Sequence, residues 1–181
     1  MSRIGVPFAQ ASPPFDEDAN RYRFDDLTDE AFALEMAQGK ADSLADSVDG
    51  QWILAADQIG VLTEPTRQLL CKPGTEAAAV EQLMSMSGRT HHLTTGVVLR
   101  CPDTGTSHVA VDRQAMTMRA FDRAEATAYI TTHRPLDCAG SYRIEDAGIL
   151  LFESIDGHDY TGIVGLPLLA VGRLLRAAGL L

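Results

Sequence analysis

The chain has 181 residues, 45% of them hydrophobic, with fifteen lysines and arginines against twenty-five aspartates and glutamates, a formal net charge of −10 at pH 7. That length suits one domain with a proper core and is short for two. The acidic balance opposes binding to a polyanion such as DNA or RNA, and no apolar run approaches the ~20 residues that a membrane span needs.

A small anionic ligand is still permitted, because a few placed lysines act locally and metal ions neutralise phosphates. The three cysteines, Cys71, Cys101 and Cys138, lack CxxC spacing and read as packed thiols of a reducing compartment. With no secretory core in MSRIGVPFAQ, the cytoplasm is expected.

In chain order, residues 1–25 carry Pro7, Pro13, Pro14 and the acidic run Asp16-Glu17-Asp18, and are expected to be extended with little regular structure. Over 28–48, Ala31, Leu34, Ala37, Ala41, Leu44, Ala45 and Val48 recur at helical spacing, with Asp29 and Glu30 in the first turn. Gly39 in the middle should weaken that helix by ~1 kcal/mol relative to alanine. Beside it, Lys40 reads locally as a solvated surface lysine.

The stretch 52–73, WILAADQIGVLTEPTRQLLCKP, organises the rest. An apolar strand over 52–56 delivers Asp57 and Gln58 to its end. A second short strand, 59–62, turns at Thr63-Glu64-Pro65 and returns through Leu69 and Leu70 to present Lys72, with Pro73 stopping the ladder. Open α/β sheets bind ligands beyond such strand ends, although an aspartate after a strand is by itself more often a turn residue or a cap.

A second helix is expected over 75–86, then a strand over 90–101 and, after the turn Pro102-Asp103-Thr104-Gly105, its return over 106–119. Such a hairpin in a helix-containing chain implies a mixed sheet. Asp122 and Glu125 have capping-box spacing for a helix reaching about residue 132. The polar, glycine-bearing loop 133–148 favours function over plain connection. A strand over 149–155 follows, and Gly165-Leu166-Pro167 opens a last helix with Leu168, Val171, Leu174 and Leu175 inward.

Five strings, AADQ, CKP, SGRTHHLTTGVVL, YITTHRPLDCAGSYRIE and IVGLPL, resemble in order and spacing the Maf-like nucleoside triphosphate pyrophosphatases, also called septum formation proteins. The resemblance runs from about Gly5 to Leu175. It implies an α/β fold with a mixed, elongated sheet flanked by helices and two lobes around a cleft, akin to the inosine triphosphate pyrophosphatase architecture. It also implies hydrolysis of a nucleoside triphosphate between the α and β phosphates with a divalent cation, Mg2+ or Mn2+.

By the same resemblance Asp57 matches the catalytic aspartate, Glu17 the acidic residue of an upstream VDE motif, Lys40 the lysine of an EKA helix and Lys72 that of a GKP motif. Asp57 is then the base or a metal-held carboxylate, Glu17 a second metal-side carboxylate, and the lysines are phosphate clamps. Gly39 and Cys71 depart from the residues usual before those two lysines. Family members begin with a strand and an SxSPRR-type loop that this sequence does not show before IGVPFAQASPPFDE, so the chain is expected to be a single Maf-like domain over 1–181 without them. A start codon placed too late is the preferred reading, beside a shortened chain or a natural short form of reduced activity.

Members acting on dTTP and UTP carry Thr after the aspartate and a late-loop Gln. Gln58 and Glu145 here are similar to the subgroup that prefers 7-methyl-GTP. A carboxylate at 145 can accept the N1–H and N2–H of guanine side by side, and its charge suits a methylated, cationic ring; alone, it is equally a solvated loop acid. Gln58 contacts the base or helps hold Asp57. Tyr142 is the candidate for stacking on the purine, and Trp52 reads as core. The rivals are a dTTP/UTP pyrophosphatase, a weakly catalytic nucleotide-binding protein linked to cell division, and a plain dimerisation protein; a homodimer is an open possibility.

Overall fold

The computed structural model describes residues 1, 4–48 and 51–181. It has five strands, β1 (Ile53–Leu62), β2 (Gln68–Leu70), β3 (Thr90–Cys101), β4 (Thr106–Met118) and β5 (Phe152–Asp156), in one sheet of order β2-β1-β3-β4-β5. The registers of β1 with β2 (Val61 opposite Leu69) and of β4 with β5 (Met116 opposite Ile155) are antiparallel. The helices are α1 (Asp29–Ser43), α2 (Glu76–Met86), α3 (Arg123–His133), α4 (Tyr160–Ile163) and α5 (Leu168–Ala177). No helix is long and apolar enough to cross a membrane among the described residues.

The α/β class expected from the sequence is what folds, and the chain divides into two compact units. The first comprises Met1–Gln58, Thr95–Asp112 and Asp159–Leu181, the second Ile59–Thr94 and Arg113–His158.

In the first unit β3 is covered on both faces. Val97 and Leu99 pack with Val171, Leu174 and Leu175 of α5, while Val98 packs with Ala37 and Ala41 of α1. That two-sided burial explains an unbroken run of apolar residues where a half-buried strand would alternate. Gly96 fixes the approach of α1, because a Cβ there would lie 2.4 Å from the carbonyl oxygen of Ala33. The core of the second unit joins Leu62 and Leu70 to Leu83 and Met86 of α2, Ile130 of α3 and Met118 of β4.

Helix starts follow the sequence closely. Thr28 Oγ1 accepts from the Ala31 amide, Thr75 Oγ1 from Ala78, and Asp122 Oδ1 from Glu125, each satisfying an amide that the first turn leaves unpaired. Glu125 does not complete a capping box, being drawn into an ion pair with Arg119.

Four expectations are corrected. Asp57 and Gln58 lie inside one continuous strand, β1, and not at the end of a shorter one. The N-terminal segment forms a 3-10 helix over Asp18–Asp25 and is tied to α1, with Arg23 donating to both oxygens of Glu35 and Phe24 edge-on to Phe32. Helix α1 stops at Ser43, with a 3-10 turn over Ala45–Ser47 where a longer helix was expected. Residues Gly148–Leu151 are likewise a 3-10 helix, so β5 begins only at Phe152.

Candidate active site

Strand alternation explains how β1 presents its polar pair. Ile53 and Ala55 face α1 with Ala37, Ala41 and Val98, whereas Trp52, Leu54 and Ala56 face the cluster built on α5. Period-two geometry therefore puts Asp57 on the α1 side and Gln58 on the other. A polar residue inside a buried strand persists only with a partner, and both have one.

Lys40 of α1 donates from Nζ to Asp57 Oδ1 at 2.6 Å and pairs with Glu17 Oε1 at 2.8 Å. The two carboxylates therefore come within two hydrogen-bond lengths of each other through a shared ammonium. Burial alone would push that ammonium's pKa down, but the Asp57 and Glu17 carboxylates outweigh it and hold the group above the ordinary lysine value. Side-chain exposure rises from 8% at Asp57 to 17% at Lys40 and 47% at Glu17, so the cluster opens to solvent through Glu17.

Glu17 reaches Lys40 because Phe15, two residues earlier, lies on Gly39. A Cβ at Gly39 would sit 2.3 Å from Cε2 of that ring. The mid-helix glycine thus makes room for an aromatic ring one residue away from the lysine. A glycine inside a helical pattern is the sequence signal that could have revealed the contact.

Gln58 does not hold Asp57. Its Nε2 donates to Thr95 Oγ1 at 3.0 Å and to the Gly162 carbonyl at 2.5 Å, which uses both amide hydrogens. Gly162 is placed by Asp159, a buried carboxylate that the sequence did not single out. One oxygen of Asp159 accepts from the backbone amide and hydroxyl of Thr161, and the other from the Leu169 amide, so one side chain caps both α4 and α5. Burial pushes the Asp159 carboxyl up, but the hydrogen bonds from Thr161 and Leu169 prevail and its pKa ends below the usual value.

In the second unit, Lys72 follows β2 and Glu145 lies in the turn after Tyr142; both are exposed and make no ion pair among the described residues. Tyr142 is different. It is 7% exposed, its hydroxyl is 2.9 Å from His91 Nε2, and its ring packs edge-on against Phe152 at 5.0 Å. A ring so enclosed offers no face to a purine, so the stacking role expected of it does not fit the structure. Burial, with the Tyr129 hydroxyl adding, pushes the Tyr142 phenol's pKa up; burial and then His92 lower the pKa of the fully buried His91 to about 4.

Whether the chain could hold a divalent cation turns on the donor set. Mg2+ commonly takes one or two carboxylates and completes its shell with water and phosphate oxygens, so Glu17 and Asp57 fit such a partial site. No group of three or more His, Cys, Asp or Glu side chains converges as a metal site among the described residues.

The site is thus an acidic residue within a sheet strand of an α/β fold, gripped by a helical lysine that also holds a second carboxylate. The chain matches the family model described as Maf-like protein over residues 1–178. It is 38% identical over 179 residues to a protein of Xanthomonas oryzae pv. oryzae named 7-methyl-GTP pyrophosphatase, covering 99% of this chain and 90% of that one. Proteins of the same name from Pseudomonas fluorescens and Bdellovibrio bacteriovorus are 38% and 36% identical, each again over 99% of this chain and 90% of their own. The chain belongs to the Maf family. With that membership comes an activity class, nucleotide pyrophosphatase, an enzyme that hydrolyses a phosphoanhydride.

Proposed function

We propose that the protein hydrolyses 7-methyl-GTP between its α and β phosphates, releasing the nucleoside monophosphate and pyrophosphate. The observation that carries the reading is the Lys40 ammonium held between Asp57 and Glu17. Attack of water on a phosphorus requires a group to take its proton and cations to offset the charge of the phosphate oxygens. Asp57 would accept the proton, oriented by Lys40. The bond from that phosphorus to the bridging oxygen breaks, and pyrophosphate leaves with the electron pair.

Glu17 and Asp57 would hold a divalent cation, magnesium or manganese, whose chemistry when bound is neutralisation of the phosphate oxygens. Lys72, exposed and unpaired with any acid among the described residues, supplies a second cation for phosphate. Glu145 supplies the base preference: its carboxylate has the acceptors for guanine's N1–H and N2–H and the charge for a methylated ring. The names of the relatives support the same substrate.

Pyrophosphate release from 7-methyl-GTP, GTP, dTTP and UTP, by the parent and by Asp57→Asn, tests the proposal. Asp57→Asn should lose roughly 10²- to 10⁴-fold in kcat, the range for a lost acid–base group. Parent-like turnover by that variant would remove the mechanism. Faster cleavage of dTTP or UTP than of 7-methyl-GTP would remove the substrate while leaving the class, and binding without release would favour a non-catalytic module.

A further inference from the structure

We infer that Gln82 is a positioning residue that ties the exit of β2, which presents Lys72, to the loop that carries Glu145, so that grip on the phosphates and choice of base depend on one side chain. The inference rests on the roles proposed above for those two residues. Gln82 lies on α2 and uses both ends of its amide. Its Nε2 donates to the Cys71 carbonyl at 3.1 Å, one residue before Lys72, and its Oε1 accepts from Ser141 Oγ at 2.6 Å.

The Ser141 end bears on the loop's shape. Ser141 is fully buried and adopts φ +60°, a left-handed conformation that residues with a Cβ rarely adopt. The preceding Gly140, at φ +82°, is required because a Cβ there would lie 2.9 Å from the Tyr142 ring. From this anchored corner the chain runs to Arg143, whose amide donates to the Tyr129 hydroxyl and whose carbonyl accepts from Asp146 and Gly148. Glu145, like Asp146 beside it, is an exposed member of that closed turn. Its position is thus fixed by its base, and Gln82 holds one side of the base.

The Cys71 end bears on Lys72. Beyond it the chain makes a second tie to the same loop, the Gly74 amide donating to the Leu136 carbonyl at 3.0 Å, so the lysine is bracketed by two links. Only a neutral amide satisfies both partners of residue 82. A carboxylate would still accept from Ser141 but would repel the Cys71 carbonyl, and a thioether would serve neither well. The two arms can therefore be cut one at a time.

The test measures kcat and KM of the full chain on 7-methyl-GTP and GTP for Gln82→Glu, Gln82→Met and Ser141→Ala, with Lys72→Ala and Glu145→Gln as controls and a melting temperature for each. Gln82→Glu should raise KM for both nucleotides alike, roughly three- to ten-fold for one lost hydrogen bond, with their ratio kept. Ser141→Ala should raise KM for both nucleotides, more for 7-methyl-GTP than for GTP, and so lower the preference by a similar factor. Gln82→Met should do both. The inference is overturned if the controls shift KM and preference as proposed while all three variants behave like the parent, or lose kcat uniformly in step with their melting temperature. If the controls themselves change nothing, the roles of Lys72 and Glu145 fall first, a different failure.

Discussion

The acidic cluster of the first unit and the displayed charges of the second are organised in opposite ways. Asp57, Lys40 and Glu17 are assembled before any ligand arrives: the carboxylate is buried in a strand, the ammonium is shared, and an aromatic ring on Gly39 fixes the segment that brings Glu17. Lys72 and Glu145 stand exposed without charged partners among the described residues, on supports that are themselves pinned. A reacting group, the role proposed for Asp57, gains from preorganisation, because orientation must precede chemistry. Groups that grip and discriminate, the roles proposed for Lys72 and Glu145, gain from being left unpaired, since a contact already made within the protein must be broken before a ligand can use it.

Breaking the shared ammonium should have the largest effect on stability. Lys40→Met leaves two carboxylates close together without their cation, and urea unfolding should show a loss of about 3 kcal/mol, the low end for a broken buried pair; an unchanged midpoint would mean that the cluster is not mutually supporting.

The second unit has its own sensitive point, His91. Unfolded, the imidazole takes up a proton near its ordinary pKa of 6.5, but folded it does so only at about 4. Its contribution is present above pH 6.5 and is lost as pH falls toward 4. Thermal melts over that window should lose on the order of 3 kcal/mol from this group, and His91→Gln should flatten that part of the slope.

Smaller effects separate display from assembly. Glu145→Gln should lower the preference for 7-methyl-GTP over GTP by roughly ten-fold in competition assays, because it removes the charge that favours the methylated cationic ring, without moving the melting temperature. A shift in melting without a change in preference would place Glu145 among the structural residues. Gly39→Ala should gain up to ~1 kcal/mol of helix propensity yet expel the Phe15 ring, so that stability changes little while kcat falls roughly two- to five-fold through a looser Glu17. Combining it with Phe15→Val should recover part of that rate; an unchanged kcat in Gly39→Ala would show that the ring does not position the carboxylate.

Much of the fold could be read from local pattern. The helix starts near Thr28 and Thr75, the cap at Asp122, the bounds of β3 and the turn at Gly105 depend on neighbours in sequence, and they lie where expected. The break expected after Ala56 failed because a polar pair inside a strand looks like a strand end until its partners, Lys40 on one face and Thr95 with Gly162 on the other, are known. Tyr142 failed for the converse reason: a tyrosine in a polar loop looks available until His91 and Phe152 enclose it.

Residue order alone placed most of the longer helices and strands and pointed to the family the chain joins, because capping, alternation and motif spacing are short-range and survive as text. Which polar groups are spent inside the protein and which remain to meet a ligand was decided only by the fold. A hydrogen bond such as Gln82 to Ser141 or Gln58 to Gly162 spans 59 or 104 positions, and nothing in the letters at either end records the other.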